Sequence, residues 1–458
     1  MSARKLLLLT AVVFALFAFI VFFERKMPTA AEREAKGDLH WDLPADRVVS
    51  IRLEHAGSVV ELARDGENWR LTRPAPYPAD SFAASDLARQ LMQLKRVGGD
   101  SSEARPEDYG LVSPSARATI VWKDAGEGDK KSTRTIEFGV DIPGTDIAAA
   151  RVSGQNRVLF IPSSVAAAAK KGASDYESKD VFGGSASDVA RLDLERGRGH
   201  LLLAQRDGIW WMEQPVKDLA DADAASRLAG DLTALRVIDF LAAEKDNLAT
   251  WGLAPPLYRV MASDAKGKAT TVEFGSTKSD GNSVYARREG QVFTVGSTIV
   301  EELAKEAEAF REPRLVRFDR AKASALEGTF GGEKVTLARG KDGGWSAAGK
   351  PALAASVDDL MTAILDLKSK AFLDEGDAKT LGARPVAASL RVVAADAEPW
   401  EIKFYGAPGE PGASVSRRPG AFRLAADPVA GLLAAFHKGA SPAPPPTPVA
   451  TARKIATP

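Results

Sequence analysis

Residues 59–66 read Val59-Val60-Glu61-Leu62-Ala63-Arg64-Asp65-Gly66, and Trp69 follows shortly after them. The same pattern returns at residues 201–208, before Trp211, and at residues 335–343, before Trp345. Alternating apolar residues on both sides of an Asp-Gly pair predict two antiparallel strands joined by a hairpin. Each tryptophan is predicted to cover the core of its own repeat, and the alternative is a set of aromatic platforms for sugar rings.

A leucine-rich helix is predicted after each hairpin. Its apolar residues are spaced i, i+4, i+7, which places them on one buried face. The three sets are Leu87, Leu91 and Leu94; Leu228, Leu232 and Leu235; and Leu360, Ile364 and Leu367. Polar residues that can accept hydrogen bonds from the first free N–H groups precede or open the helices: Asp80 or Ser81, Asp221 or Asp223, and Ser356.

Each copy continues with a glycine turn, further short strands and a second helix. The turns are Tyr109-Gly110-Leu111, Trp251-Gly252-Leu253 and a degraded Leu381-Gly382-Ala383. A later strand ends in an aromatic residue and glycine, at Phe138-Gly139, Phe274-Gly275 and Tyr405-Gly406. The second helices are predicted near residues 164–171, 297–310 and 428–437.

These patterns predict an α+β fold of three tandem repeats of about 130 residues. Each repeat is expected to follow the order βββαββββα, with mostly antiparallel sheets. The predicted repeats are residues 46–184, 185–313 and 314–438. Residues 24–45 are predicted to be a linker, and the proline-rich residues 439–458 are predicted to be a disordered tail.

The amino-terminal run Leu6–Phe23 reads LLLLTAVVFALFAFIVFF, in which Thr10 alone is polar. A helix of that length extends about 27 Å, which nearly spans the bilayer core. A cleaved signal peptide has a shorter apolar region and small residues before its cleavage site, whereas this run ends in Phe22-Phe23-Glu24. The run is therefore predicted to be an uncleaved signal anchor, a transmembrane helix in contact with membrane lipid.

Flanking charges do not decide the orientation of this helix, because basic residues stand on both sides of it. Long domains translocate largely regardless of their charge. We therefore expect a single-pass protein of the cytoplasmic (inner) membrane, with the bulk of the chain periplasmic or otherwise extracytoplasmic.

Composition excludes several classes of function. The 61 Lys and Arg residues balance 61 Asp and Glu residues, so the chain lacks the basic field of a nucleic-acid-binding protein. It has no cysteine, which excludes disulfides, thiolate metal sites and a cysteine nucleophile.

Residues with reactive side chains do not form a recognisable motif. The four histidines, His40, His55, His200 and His437, are too scattered in sequence for metal-ligand spacing. The carboxylates Asp218, Asp221 and Asp223 could hint at a divalent cation, but the glycine and terminal glutamate of an EF-hand loop are absent, and capping and first-turn charges of the following helix explain them more simply. Ser2-Ala3-Arg4-Lys5 matches the S-x-x-K pattern within the membrane-targeting segment. We predict no catalytic, cofactor-binding or metal-binding residue and no cofactor, hence no enzyme.

The anchor, the hairpin with its tryptophan, the Tyr/Trp-Gly-Leu turn and the strand ending in Glu-Phe-Gly resemble the bacterial family called domain of unknown function 4340. The resemblance covers residues from about 48 to 425. It implies a single-pass envelope protein, often encoded beside an ABC transporter and its gliding-motility-type auxiliary subunit. The family offers no catalytic residues to carry over.

Together these observations predict a non-enzymatic accessory or scaffold protein whose partners are subunits of an ABC-type transporter complex. Two alternatives remain, a periplasmic glycan or cell-wall binding protein and an unrecognised hydrolase. A glycan-binding protein would expose aromatic side chains in a groove, and a hydrolase would place convergent carboxylates or a Ser-base pair in a pocket.

Overall fold

The computed structural model describes residues 43–97, 104–124, 130–241, 247–395, 398–406 and 411–441. They form three antiparallel sheets and a smaller number of helices, which confirms the α+β class and its mostly β character. Within these ranges no helix is long and apolar enough to cross a membrane. The predicted anchor Leu6–Phe23, His40 and most of the proline-rich tail lie outside the described residues.

The first sheet has eight strands in the order β4-β3-β2-β1-β5-β6-β7-β8. Its strands are β1 (Val48–His55), β2 (Ser58–Asp65), β3 (Asn68–Arg73), β4 (Tyr77–Pro78), β5 (Ala116–Lys123), β6 (Lys131–Asp141), β7 (Ile147–Val152) and β8 (Leu159–Pro162). Its helices are α1 (Ser81–Met92) and α2 (Ser163–Ala169).

The second sheet has nine strands in the order β12-β11-β10-β9-β14-β15-β16-β17-β13. Its strands are β9 (Val189–Arg196), β10 (Gly199–Arg206), β11 (Ile209–Gln214), β12 (Asp218–Leu219), β13 (Phe240–Leu241), β14 (Tyr258–Asp264), β15 (Ala269–Thr277), β16 (Ser283–Arg288) and β17 (Gln291–Gly296). Its helices are α3 (Ala222–Ala234), α4 (Asn247–Thr250) and α5 (Ile299–Ala304).

The third sheet also has nine strands, in the order β21-β20-β19-β18-β23-β24-β25-β26-β22. Its strands are β18 (Ala323–Phe330), β19 (Glu333–Arg339), β20 (Trp345–Ala347), β21 (Lys350–Pro351), β22 (Ser369–Leu373), β23 (Val386–Ala394), β24 (Trp400–Tyr405), β25 (Gly412–Val415) and β26 (Ala421–Leu424). Its helices are α6 (Ala354–Leu365), α7 (Glu375–Gly382) and α8 (Val429–Ala440).

All three sheets repeat one topology. Four strands run outward to a two-residue edge strand, a helix follows, and four further strands extend the sheet on its other side. The second and third sheets add one short strand at the far edge. The two-residue edge strands were not predicted, because two residues carry no periodicity.

Contacts group the chain into two compact units. Of the described residues, the first unit comprises those up to Asp180 together with 237–241 and Glu289–Phe293. The second comprises Val181–Arg236 and the described residues of 247–288 and from Thr294 onward. The predicted limits of the three repeats stay a prediction.

The first two residues of each predicted leucine stripe lie on the buried face of their helix, whereas Leu94, Leu235 and Leu367 lie beyond the helix ends and Leu367 is half-buried. Leu91, Leu232 and Ile364 are each 0% exposed. Asp80 and Asp221 cap α1 and α3, and each accepts hydrogen bonds from two backbone N–H groups of the first turn. The cap predicted at Ser356 is wrong, because Ser356 is buried inside α6 and Leu353 occupies the cap position without a side-chain acceptor.

Two of the three predicted core tryptophans are correct. Trp69 and Trp345 are buried. Trp69 Nε1 donates to Ser85 Oγ at 3.0 Å, and Ser85 lies in α1, the helix of the same copy. In the second copy Trp210 takes this position, and Trp211 is half-buried on the other face of β11. The hairpin turns at Gly66-Glu67 in the first copy but at Asp207-Gly208 in the second. This one-residue shift reverses which side chain faces the core.

Two predicted elements of the later copies differ from the structure. The helix expected over 297–310 is interrupted, because Lys305 is extended between α5 and a 3-10 turn at Ala307–Phe310. The degraded turn of the third copy is part of a helix, α7, which Asp374 caps.

The glycine turn and the aromatic-Gly strand end meet in space in the first two copies. A Cβ at Gly139 would lie 2.1 Å from the carbonyl oxygen of Tyr109, and a Cβ at Gly275 would lie 2.0 Å from that of Trp251. Only glycine allows this approach of two backbones. At Gly406 in the third copy the nearest atom would be 3.4 Å away, an ordinary contact, which matches the loss of the turn motif there.

The glutamate of the Glu-Phe-Gly motif forms a cross-strand ion pair. Glu137 lies between Arg117 and Arg151, and Arg151 Nε donates to its Oε2 at 2.6 Å. Burial alone raises the pKa of Glu137, but the hydrogen bonds and charges of the two arginines outweigh burial and hold the pKa below its ordinary value. Glu273 accepts similarly from Arg287 Nε at 2.7 Å.

Replacing Gly275 by Ala should destabilise the second unit by roughly 1–3 kcal/mol, because the new methyl group forces two backbones apart. Urea denaturation of the two variants Gly275→Ala and Gly406→Ala measures the difference. Gly406→Ala should be close to neutral, and equal losses in both variants would contradict the close-approach argument.

Candidate functional site

An open cleft of about 630 Å³ lies within the second unit. Its wall combines apolar and aromatic side chains with four cations and one carboxylate. The lining residues are Ile209, Trp211, Leu219, Arg314, Arg317, Phe318, Asp319, Lys322, Leu365, Ala394, Ala395, Trp400 and Arg417. The volume falls in the range of sites that bind small ligands or the side chains of a partner.

Strand β11 supplies one wall of the cleft by simple alternation. Trp210 and Met212 point into the sheet core and are 4% and 1% exposed. Ile209 and Trp211 therefore point to the opposite face, where both line the cleft. Ile209 is 40% exposed, so this wall is accessible from solvent.

A buried carboxylate fixes the segment that forms the opposite wall. Asp218 of the edge strand β12 has a side chain that is 0% exposed. Arg418 contacts both of its oxygens, with Nε–Oδ1 at 2.8 Å and Nη2–Oδ2 at 3.0 Å, and Arg311 Nη2 donates to Oδ2 at 2.8 Å. Bidentate pairs of this kind are strong and directional.

Each of the two arginines also lies over an aromatic ring. The guanidinium carbon of Arg311 is 3.9 Å from the centroid of Phe372, and that of Arg418 is 4.7 Å from Phe422. Arg418 further donates to the carbonyl oxygens of Glu312 and Arg314. The cluster thus holds residues 311–314 in place, directly before the cleft residues Arg317 and Phe318.

A second buried carboxylate, Glu312, neutralises two of the four cations of the cleft. It is 1% exposed and lies 2.6 Å from Arg317 Nε and 3.7 Å from Arg314 Nη1. The other two cations, Lys322 and Arg417, are exposed, and among the described residues neither has a carboxylate partner. Arg417 lies over the Trp400 ring at 4.5 Å and donates to the carbonyl oxygen of Glu398 at 3.0 Å.

The residues weighed as catalytic or metal-binding candidates do not converge. His55 Nδ1 lies 2.9 Å from the Ser115 carbonyl oxygen, and His200 Nε2 lies 2.9 Å from Asp193. His437 pairs with Glu333 at 3.3 Å. The segment Ser2–Lys5 lies outside the described residues.

The three carboxylates at 218–223 have three separate roles. Asp218 is buried between arginines, Asp221 caps α3, and Asp223 is exposed in the first turn. Among the described residues no group of three or more histidine, aspartate or glutamate side chains is arranged to hold a metal ion.

Sequence reasoning did not identify the cleft. Its residues come from β11, β12, the 311–322 segment, the end of α6, the end of β23, the start of β24 and the turn after β25. One signal was present, the Trp210-Trp211 doublet, which the other two copies lack. Trp210 is buried and Trp211 lines the cleft.

The fold and cleft define a multi-sheet α+β protein with a cleft of mixed aromatic and cationic lining. Over residues 69–256 and 210–385 the chain matches the family described as Domain of unknown function (DUF4340), and it belongs to that family. The resemblance seen in the sequence is thereby confirmed. No curated protein matches the chain.

Solved structures give only a distant likeness. A DNA polymerase sliding clamp from Pseudomonas aeruginosa, with ligand, is 8% identical with a TM-score of 0.14, covering 86% of this chain and 97% of that chain. The DNA polymerase III subunit beta from Pseudomonas aeruginosa is also 8% identical with a TM-score of 0.14, covering 85% and 94%. A TM-score of this size carries no argument about fold or function.

Replacing Asp218 by Asn should lower the free energy of unfolding of the second unit by about 3–5 kcal/mol, because two buried guanidinium groups lose their counter-charge. Asp223→Asn, in the exposed first turn of the following helix, is the matched control and should cost less than about 1 kcal/mol. Urea denaturation followed by tryptophan fluorescence compares them. Similar losses in both variants would show that the Asp218 cluster does not hold this unit together.

Proposed function

We propose that this protein is a non-enzymatic accessory protein of the bacterial cell envelope that acts by binding a protein partner, a component of an ABC-type transporter complex. In this proposal Leu6–Phe23 anchors it in the cytoplasmic membrane as a single-pass helix. The three repeats, residues 46–184, 185–313 and 314–438, then stand on the extracytoplasmic side.

The cleft is the observation that supports this proposal most. Trp211, Phe318, Trp400 and Arg417 bring together the residue types that are enriched at the centres of protein interfaces, aromatic residues and arginine. The buried Asp218 and Glu312 hold this wall in position from behind. A preorganised surface of this composition loses little conformational entropy when a partner binds.

The contrast between repeated and unrepeated positions also favours recognition at one place. The positions that recur in all three sheets are apolar helix residues and buried tryptophans, and the close-packed glycines recur in the first two, all with a role in folding. The cleft, by contrast, is lined jointly by residues of the second and the third repeat, so its surface is not present in every repeat. A membrane anchor would confine this surface to the plane in which a transporter lies, and a further contact made after the first would be effectively intramolecular.

Photo-crosslinking in living cells tests the proposal. A photoreactive phenylalanine analogue at Ile209, in the cleft, should capture transporter subunits from the membrane fraction, identified by mass spectrometry. The same analogue at Phe82, which is 84% exposed in the first unit, serves as the control and should not capture them. Capture of no membrane protein from position 209, or equal capture from both positions, would contradict the proposed function.

A further inference from the structure

We infer that the cleft binds an extended acidic segment of a protein partner, with an apolar side chain of the segment in the cleft and its carboxylates on Lys322 and Arg417. The inference rests on the proposed function, since it names the chemistry by which the partner is recognised. It is drawn from the charges, the apolar lining and the exposure of the cleft.

The charge balance of the cleft favours an anionic ligand. Four cations line it, against the single carboxylate Asp319. Glu312, buried behind the wall, pairs with Arg314 and Arg317 and reduces their net contribution. Lys322 and Arg417 form no ion pair with a described carboxylate, although the whole chain is neutral. Two exposed cations at an otherwise neutralised wall attract carboxylates of a ligand.

The geometry of Arg417 suits a carboxylate ligand in particular. Its guanidinium stacks on the Trp400 ring, and Nη1 donates to a backbone carbonyl. Stacking and one hydrogen bond restrict the side chain, yet other N–H groups stay available for a planar acceptor. Asp319, whose Oδ1 accepts from the backbone N–H of Ala321 at 2.9 Å, forms no ion pair with Arg417.

The apolar part of the lining indicates that the ligand carries apolar side chains besides its carboxylates. Trp211, Phe318, Leu365 and Trp400 offer aromatic and aliphatic surface in a volume of about 630 Å³. Such a volume holds one or two apolar side chains and leaves a longer segment extended across the opening. Burying a leucine or phenylalanine side chain there contributes affinity, and the charges at the edge contribute specificity and association rate.

The same lining is less suited to a glycan. Sugar hydroxyl groups need several hydrogen-bonding side chains aimed at them. The described residues that line the cleft include no Asn, Gln, Ser, Thr or Tyr, so four cations offer donors while Asp319 is the one side-chain acceptor for hydroxyl groups. A peptide with acidic and apolar side chains matches both halves of the surface.

A designed peptide tests the inference with the full chain in detergent. The probe is a fluorescein-labelled twelve-residue peptide of glutamate and serine with one central Phe-Leu pair, and its binding is measured by fluorescence anisotropy at low ionic strength. A peptide with every glutamate replaced by lysine, and one with Phe-Leu replaced by Ser-Ser, are the reference ligands. The glutamate peptide with Phe-Leu should bind most tightly, and added salt should weaken it.

Charge reversal in the cleft should weaken this binding. Lys322→Glu and Arg417→Glu should each raise the dissociation constant by roughly tenfold, since each turns one attraction into a repulsion. Lys403→Glu, an exposed position of β24 outside the cleft, is the matched control and should bind as the unaltered protein does. Circular dichroism of all three variants checks that they fold alike.

Three results would overturn the inference. They are equal binding of the lysine peptide, equal loss in Lys403→Glu and Lys322→Glu, and preferential cleft-dependent binding of anionic phospholipid vesicles or polygalacturonate fragments. Crosslinking from Ile209 in a Lys322→Glu background separates this failure from failure of the proposed function. Transporter subunits captured as before would leave the accessory role standing and reject the acidic segment, whereas peptide binding without any captured subunit would reject the accessory role.

Discussion

The second unit depends on one buried carboxylate. Asp218 has no solvent exposure, and it is compatible with folding because Arg311 and Arg418 saturate its oxygens. A carboxylate removed from water without such partners would cost several kcal/mol. The two guanidinium groups are themselves placed against Phe372 and Phe422, so charge and apolar packing stabilise each other at this point.

In the first unit a tyrosine occupies the position that Asp218 has in the second unit. Tyr77 of β4 lies where Asp218 lies in β12, and its ring packs at 5.8 Å from Phe240 and 6.5 Å from Phe293. Phe240 and Phe293 correspond to Phe372 and Phe422 as cross-strand pairs at the sheet edge. The phenylalanine pair therefore packs against the Tyr77 ring in the first unit and against the guanidinium groups of Arg311 and Arg418 in the second. Only the arrangement in the second unit contains charged side chains.

The position of the cleft residues depends on the charged cluster of Asp218, Arg311 and Arg418. Arg418 binds the backbone of residues 312 and 314, and Glu312 in turn binds Arg317. Further along this segment, Phe318 and Lys322 line the cleft together with Trp211. On the neighbouring turn, Arg418 points inward and Arg417 outward, so the inner residue supports the structure and the outer one remains available to a ligand.

Local patterns determined how much of this could be predicted from sequence. Leu91, Leu232 and Ile364 were placed correctly, because helical spacing reports burial directly. Trp211 was misplaced, since strand facing depends on which residues form the turn, and an Asp-Gly pair can occupy it in two ways. The pairing of Asp218 with Arg418 joins residues far apart in sequence, and no periodicity encodes such a contact. For the same reason the sequence patterns did not predict the cleft.

A double-mutant cycle between Asp218→Asn and Arg418→Met tests most directly whether this pair is the central constraint. The free energies of unfolding of both single variants and of the double variant are measured by urea denaturation. If the two side chains act together, the double variant should be less destabilised than the sum of the single variants by about 1–3 kcal/mol. Losses that add within about 0.5 kcal/mol would show that Asp218 and Arg418 act independently, and the account of the second unit would be wrong.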